Sequence, residues 1–487
     1  MGRRCDHSRP AESDRIARRL KLGSGALCAV GLAATVLAAT GAAGALTGDT
    51  SISVGETRQC NRSKPTRIPQ PTAAHLAAAG LRKLPIASAR QRVDLVAPRF
   101  SNPTRITNPL FPISDLHSAV LNGKVDGKAF RVETTLLPDT RIIEWSPGEC
   151  VRTLVSQYVA YLGGRIEEVA LDFYAQADDG SVWYFGEEVY NYAGGVIADT
   201  AGTWLAGKEG PAAMIMPAAP RVGQVNRPEN IPGLVFEEVA VKAVGTTADG
   251  PLGPVKGAMV ASELHDDGTF SDKVFAPGYG EFFTAHEGDV EALALAVPTN
   301  ALGGPPPVEL RALLSGSNSI FDHAGSGRWA ASAATLDRVS AAWRAHRARS
   351  VPRRLVAPTT LALQALVRAV GSRNPRRARN AALDLSQALL DLQLRYRPPA
   401  HIDRARFDLW ARQVLVDAAA GDRSAVSGDV ATLEWVRDRL VLVLDSVTMT
   451  RVDTSLEALR AHLRDRELGE AARTATQLRG VVAGATR

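Results

Sequence analysis

Cysteine is scarce in this sequence, with four residues in a chain of 487. So few cysteines exclude a disulfide-rich scaffold, and no paired Cys-x-x-Cys or His-Glu-x-x-His motif offers a familiar zinc signature. Aromatic residues make up 6% and charged residues 22% of the chain, whereas hydrophobic residues reach 45%. These proportions are typical of a globular protein and exclude a disordered chain or a multi-spanning membrane protein. The length predicts about two to four domains.

Lysine is absent from residues 331–487, where 26 arginines and 16 acidic residues give a net charge of +10. Residues 46–330 carry a net charge of −8. Many acids of the C-terminal region lie at helical spacing from arginines, as Asp403 does from Arg406, so we interpret this region as a solvated, salt-bridged helix surface. We therefore expect no nucleic-acid partner, and we expect an intramolecular contact between the acidic and the basic region.

A long uncharged run extends from Leu22 to Gly48 and follows a cluster of basic residues. Its centre is apolar, and Ala43-Gly44-Ala45 supplies the small residues of a cleavage site. This order predicts a secretory signal peptide in residues 1–48. The alternative is an uncleaved N-terminal membrane anchor, because the run is long enough to span a bilayer. The high alanine and glycine content makes the run weakly apolar, so an exported protein with a cleaved signal is the favoured prediction.

Export changes how the cysteines are interpreted. Cys60 and Cys150 are the two that would remain in the mature chain, in a compartment where disulfides form. One alternative is a Cys60–Cys150 disulfide that ties the N-terminal arm to the region after it. The other is two separate thiols, and the sequence leaves both open.

Composition divides the mature chain into two structured regions and two linkers. Residues 49–92 are polar and predict a linker with one short helix between Ala73 and Leu84. Residues 93–298 consist of short alternating runs separated by turn signals, which predict an antiparallel β domain. Residues 299–330 are rich in Gly, Pro and Ser and predict a second linker. Residues 331–487 have helical periodicity and predict a helical bundle.

The turn signals define the β region further. Asp-Asp-Gly at 178–180 and His-Asp-Asp-Gly at 265–268 predict hairpins, and Pro-Asp at 138–139 predicts a break between two strands. Helical repeats are missing between the runs, so parallel βαβ units are disfavoured. The predicted fold is α+β and multidomain: an antiparallel β half-barrel or sandwich followed by an α-helical bundle.

Aromatic residues concentrate in the β region and are the candidates for a ligand site. In a small barrel such side chains fill the core, whereas in a half-open barrel they line a pocket for a lipid or another apolar molecule. Glu187 and Glu188 are adjacent, so they point to opposite faces of a strand and cannot form one acid–base pair. One of them can face the interior and orient a ligand. The predicted ligand-binding residues are Trp145, Trp183, Phe185, Glu187, Trp204 and Phe275.

Three segments of the β region resemble a family of exported bacterial β-proteins. They are FYAQADDGSVWYFGEEVYNY at Phe173–Tyr192, GTWLAGKEGPAAMIMPAAPRVGQ at Gly202–Gln224, and DKVFAPGYGEFF at Asp272–Phe283. The family shares a WYFGE strand, an MPA-x-P-x-VG segment and a YAPG-x-G motif, and Phe275 stands where that last motif has tyrosine. The resemblance implies a secreted β fold and no assigned reaction. The segment ALLDLQLRYRPPAHIDRARFDLWARQ resembles helical extensions of exported actinobacterial-type proteins.

No motif in the sequence points to a reaction. We predict no catalytic residue, no metal ligand and no cofactor. The segments that begin at His265 and His286 combine imidazole and carboxylate groups, but we interpret them as solvated hairpin tips. The leading functional hypothesis is a non-enzymatic envelope protein that binds an apolar or amphipathic ligand in its β domain. The alternatives are an interaction module that docks an envelope protein or a membrane surface through its helices, and a hydrolase or metal-dependent enzyme built on dispersed residues.

Overall fold

A computed structural model describes residues 64–484. The predicted leader at residues 1–48 and Cys60 lie outside this range. The strands are β1 Ser118–Val125, β2 Lys128–Ser146, β3 Glu149–Leu162, β4 Arg165–Gln176, β5 Val182–Ala193, β6 Val196–Asp199, β7 Trp204–Leu205, β8 Ala213–Met216, β9 Val225–Ile231, β10 Val235–Gly250, β11 Gly253–His265, β12 Phe270–Ala276, β13 Gly280–His286 and β14 Asp289–Val297. The helices are α1 Ala73–Ala78, α2 Val308–Gly325, α3 Trp329–His346, α4 Arg353–Gly371, α5 Pro375–Gln393, α6 Pro399–Ala419, α7 Arg423–Asp438, α8 Ser446–Asp465 and α9 Leu468–Gly484, with a 3₁₀ turn at Leu81–Lys83.

The strands form one large antiparallel sheet followed by eight helices in the described chain, which confirms the predicted fold class. The sheet order is β6-β5-β4-β3-β2-β1-β14-β13-β12-β11-β10-β9, so the first and last strands of the sequence pair at its middle. Strands β7 and β8 pair with β5. The side-chain amide of Asn226 in β9 donates to the carbonyl groups of Met214 and Ile215 in β8, at 2.9 and 3.3 Å. These bonds place β9, at one edge of the sheet, beside β8, which pairs with β5 near the other edge. The sheet is therefore curved like an open barrel, and in the described residues no backbone ladder closes it.

Turn chemistry predicted the hairpins well, with one exception. The Asp-Asp-Gly turn joins β4 to β5, and the His-Asp-Asp-Gly turn joins β11 to β12. The predicted break at Pro138-Asp139 is wrong, because β2 continues through it. The register between β2 and β3 shifts between Leu136 and Thr140, and this irregularity accommodates a proline that has no N–H to donate.

A helix occupies most of the segment predicted as the linker 299–330. Helix α2 places Leu310, Leu313 and Ile320 on one buried face. Gly316 and Ser317 serve close packing instead of chain flexibility: a Cβ atom at Gly316 would lie 2.3 Å from Cγ2 of Val339 in α3, and the buried hydroxyl group of Ser317 donates to the carbonyl group of Ala382 in α5. Small residues allow the two helices to approach closely. The segment is rich in glycine and serine for this reason, and its composition therefore resembles that of a linker.

The segment 64–92, predicted as part of a polar linker, also contributes to the core. Ile68 and Leu81 are 3% and 1% exposed, and Ile68 packs in the same apolar cluster as Phe100 and Phe111 of the segment before β1. Helix α1 lies where a short helix was predicted. The first strand begins at Ser118, so the chain from residue 64 to residue 117 forms a long non-strand segment against the sheet.

The two faces of the sheet have different partners. One face packs on the helices, and Val120, Val159 and Leu295 share one continuous core with them. Tyr161 of β3 stacks on Trp410 of α6, with ring centroids 5.5 Å apart. The other face curves around two apolar clusters that form the interior of the open barrel.

A buried cluster of charges joins the sheet to the helices. Arg131 of β2 binds Asp391 of α5 with two hydrogen bonds of 2.6 and 2.9 Å. Glu133, two residues further along β2, accepts from Arg439 and lies 3.2 Å from Nε of Arg406. Because the sheet contributes arginine as well as glutamate, the pairing at this interface does not follow the net charges of the two regions.

None of the helices between residues 64 and 484 combines the length and the apolar character that crossing a membrane requires.

Candidate functional site in the barrel interior

A cavity of about 80 Å³ lies inside the open barrel. It is lined from β1 to β4, from β13 and β14, and from the segment before β1. Alternation along β3 explains part of the lining, because Ser156 and Tyr158 point inward while Val159 joins the core shared with the helices. The lining residues are Phe111, Ile113, Leu116, Ala119, Leu121, Thr134, Leu136, Ser156, Tyr158, Asp172, Tyr174, Tyr279, Gly280, Glu281 and Glu291. The walls are therefore mainly apolar, with three carboxyl groups among them.

Asp172 and Glu291 are the two most deeply buried of these carboxyl groups, with 2% and 3% of their surfaces exposed. Asp172 lies opposite Ser156 on β3, and one of its oxygen atoms accepts a hydrogen bond of 2.7 Å from the hydroxyl group of Tyr184. Oε2 of Glu291 is buried and has no hydrogen-bond partner among the described residues. An unsatisfied buried carboxyl oxygen is costly, so it indicates that something else can donate to it.

Glu281, the third carboxyl group, connects the cavity to a lysine. Nζ of Lys273 lies 3.0 Å from Oε1 of Glu281 and 3.2 Å from Oε2 of Glu263. Thr284 also donates to Glu281. In the described part of the chain, no basic side chain lies within ion-pair distance of Asp172 or Glu291. Lys273 therefore compensates Glu281 and Glu263, and it forms no ion pair with Asp172 or Glu291.

Burial makes these carboxyl groups hard to ionise. It raises the pKa of Asp172 to about 7, to which the charge of Glu281 adds. It also raises the pKa of Glu291 well above its usual range, and the charge of Glu281 again adds to this rise. Glu168, further along β4, has its pKa raised to about 8 by burial and by Asp172. These carboxyl groups are therefore partly or fully protonated near neutral pH. A bound positive charge would lower their pKa values and release the protons.

A second polar group lies beyond Lys273 and has the residue types of a metal site. The ligand atoms of Glu237, Glu263 and His265 lie within 4.8 Å of one another, and all three residues are buried. The imidazole of His265 also lies 2.6 Å from Oγ of Ser271 through Nε2. Two carboxylates and an imidazole can hold a divalent cation. The ammonium group of Lys273, however, already supplies positive charge to Glu263.

The interpretation of the histidine segments as solvated hairpin tips is wrong for the histidines themselves. His265 and His286 are 3% and 9% exposed, and their ring centroids are 5.9 Å apart. The pairing of β11 with β12 and of β12 with β13 brings them together inside the sheet. Turn signals in the sequence located the hairpins, but they did not show that the histidine at the end of each strand is buried.

The six predicted ligand-binding residues lie in the interior but not around this cavity. All six are at most 5% exposed, and they are Trp145, Trp183, Phe185, Glu187, Trp204 and Phe275. The five aromatic side chains belong to one packed cluster, in which Phe185 lies 6.3 Å from Trp145 between ring centroids. None of the six is among the residues that line the cavity. Their packing is that of a core, and their role in ligand binding stays a prediction.

The predicted separation of Glu187 and Glu188 onto opposite faces is confirmed. Glu187 is 1% exposed, and the charge of Glu229 adds to the burial that raises its pKa well above the usual range. The side chain of Glu188 is 33% exposed and lies 2.5 Å from Arg141. Glu187 pairs with Asp172 across β4 and β5, so it belongs to the same row of buried acids.

Cys150 is disulfide-bonded. Cys60 lies outside the described residues, and its pairing with Cys150 stays a prediction.

Comparison with known proteins finds no matching family profile, no matching curated protein and no matching solved structure. The resemblance to exported β-proteins therefore stays an expectation, and the geometry of the interior carries the functional argument.

Proposed function

We propose that this chain is an exported binding protein that takes an apolar or amphipathic ligand into the interior of its open barrel. The observation that carries the proposal is the cavity beside Glu291, where apolar walls meet a buried carboxyl oxygen that has no partner in the described chain. Small-molecule sites combine mostly apolar walls with a few polar groups that fix the orientation of the ligand.

The size of the cavity limits what can enter. Its volume is about 80 Å³. Pockets for drug-sized ligands are typically about 300–1,000 Å³. The ligand is therefore a small molecule or one end of a longer one. A whole lipid does not fit.

Native mass spectrometry of the protein purified from its own cells tests this function. We expect a reproducible added mass on the wild-type chain. Replacing Ala119 with Leu puts three further carbon atoms into the cavity and should abolish the added mass. Ala334→Leu, on the exposed surface of α3, is the matched control and should retain it. Repeated recovery of an empty wild-type chain would contradict the proposal, as would an added mass that survives Ala119→Leu in a folded protein.

N-terminal sequencing of the same material tests export. A mature chain that begins shortly after Ala45 would support a cleaved signal. A cytoplasmic chain that retains residues 1–48 would contradict export.

A further inference from the structure

The acids around the cavity outnumber their cations. Asp172, Glu281 and Glu291 line it, and Lys273 is the described cation that contacts any of the three. That lysine is shared with Glu263. The site consequently has fewer cations than carboxyl groups. An anionic ligand, such as the carboxylate of a fatty acid, would find Lys273 already paired with Glu281 and Glu263.

The hydrogen bonds of the cavity acids also show which carboxyl oxygen atom lacks a donor. Oε2 of Glu291 accepts no hydrogen bond from the described residues, whereas Oδ1 of Asp172 already accepts from Tyr184. A primary ammonium group offers three donors on one atom and a full positive charge. An alcohol offers a single donor and no charge. An ammonium group therefore satisfies Oε2 of Glu291 and adds a positive charge among the acids of the cavity.

We infer that the polar end of the ligand is a protonated primary amine, which donates to Glu291 while its alkyl chain lies along Leu116, Leu121 and Leu136. This inference rests on the proposed ligand-binding function and names the chemical class that the cavity selects. A charge-assisted hydrogen bond from the ammonium group to the Glu291 carboxylate supplies the selectivity. Contact with the leucine side chains supplies the remaining affinity.

Three probes of equal length separate the possible ligand classes. Isothermal titration calorimetry of the full chain with n-butylamine, n-butanol and butyrate compares a cation, a neutral donor and an anion. We expect n-butylamine to bind at least about tenfold more tightly than n-butanol, and butyrate not to bind. Equal affinity for the amine and the alcohol, or tighter binding of butyrate, would overturn the inference.

Variants locate the interaction. Glu291→Gln keeps the shape of the side chain and removes its charge, so it should weaken n-butylamine binding by about tenfold or more while leaving n-butanol binding nearly unchanged. Glu457→Gln, an exposed carboxyl on α8, is the control and should bind both probes like the wild type. Unchanged n-butylamine affinity in Glu291→Gln would contradict the inference, because it would show that the amine does not bind to Glu291.

The outcomes also distinguish this inference from the proposed function. Binding of n-butanol in preference to n-butylamine, lost in Ala119→Leu, would keep the cavity as a ligand site and refute the amine. Failure of all three probes, together with an empty protein in native mass spectrometry, would refute both.

Discussion

Buried carboxyl groups determine the behaviour of this protein at the scale of single residues. Some are fully compensated, as Glu133 is by three arginines at the contact between sheet and helices. Others, such as Glu168 and Glu291, have no such compensation, and burial raises their pKa values. The first kind of carboxyl group stabilises the interface only as long as every partner is present. The second kind makes the stability and the ligand affinity of the barrel depend on protonation.

Removing the charge of Glu133 is expected to be strongly destabilising. Glu133→Gln leaves Arg406 and Arg439 buried with less compensation, so the free energy of unfolding should fall by about 3–5 kcal/mol. Urea denaturation followed by tryptophan fluorescence measures the loss. Asp249→Asn removes an exposed pair with Arg353 and should cost less than about 1 kcal/mol. Equally small losses in the two variants would show that the buried cluster stabilises the protein no more than an exposed ion pair does.

The raised pKa of Glu168 gives stability a definite pH dependence. The unfolded chain, with an ordinary pKa near 4.5, releases this proton before the folded protein does at about 8. The contribution is therefore complete below about pH 4.5 and is lost as the pH rises to about 8, at up to about 1.4 kcal/mol per pH unit for this one group. Glu168→Gln should flatten the decline in the free energy of unfolding between pH 5 and pH 8, measured in urea. The control Glu457→Gln should keep the wild-type slope, and an identical slope in all three proteins would refute this role of Glu168.

At the scale of secondary structure, local chemistry predicted most elements. The side chain of Asn374 accepts from the N–H of Arg377 and begins α5 at Pro375, as an N-cap followed by proline predicts. The hairpin at 178–180 likewise follows from residues that tolerate a positive φ angle. Helix α2 was missed because its small residues are selected by contact with α3, which is a tertiary effect that composition does not reveal.

Gly316 provides a test of that explanation. Gly316→Ala adds a methyl group 2.3 Å from Val339, so it should destabilise the protein by about 1–3 kcal/mol despite the better helix propensity of alanine. Gly480→Ala in α9, where a Cβ atom meets nothing within 4 Å, should stabilise by about 0.5–1 kcal/mol. Thermal denaturation followed by circular dichroism measures both. The added variant Val339→Ala should recover part of the loss, and a stabilised Gly316→Ala protein would contradict the close packing.

At the scale of the whole molecule, the sheet and the helices share one core. Valine and leucine side chains from β1, β3 and β14 lie in the same apolar cluster as the helical residues. At the turn between β5 and β6, a Cβ atom on Gly195 would lie 2.1 Å from the carbonyl oxygen of Ser424 in α7. The two regions that composition separated are consequently one packed body in the described chain.

This shared core predicts cooperative unfolding. Because neither region keeps its apolar face covered without the other, differential scanning calorimetry of the full chain should show a single transition. Glu133→Gln should lower the temperature of that transition without dividing it. Two well-separated transitions in the wild-type protein would show that the sheet and the helices fold independently.

The candidate site was less predictable than the fold. The concentration of aromatic residues predicted that Trp183 and Phe185 belong to the interior of the β region, and both are buried there. It could not show whether neighbouring side chains fill the space, which depends on the curvature of the whole sheet. Asp172 and Glu291 are 119 positions apart in the sequence and line the same cavity only because β1 pairs with β14. Neither belongs to a recognisable motif, so the cavity emerges only from the assembled barrel.

The central claim is that the cavity between Leu121 and Glu291 holds a ligand. A crystal structure of the protein purified from its own cells and soaked with n-butylamine tests this claim most directly. We expect electron density inside the barrel, with a donor atom within hydrogen-bond distance of Oε2 of Glu291 and apolar atoms against Leu121. A cavity that contains only water, or density confined to the helical surface, would contradict the account.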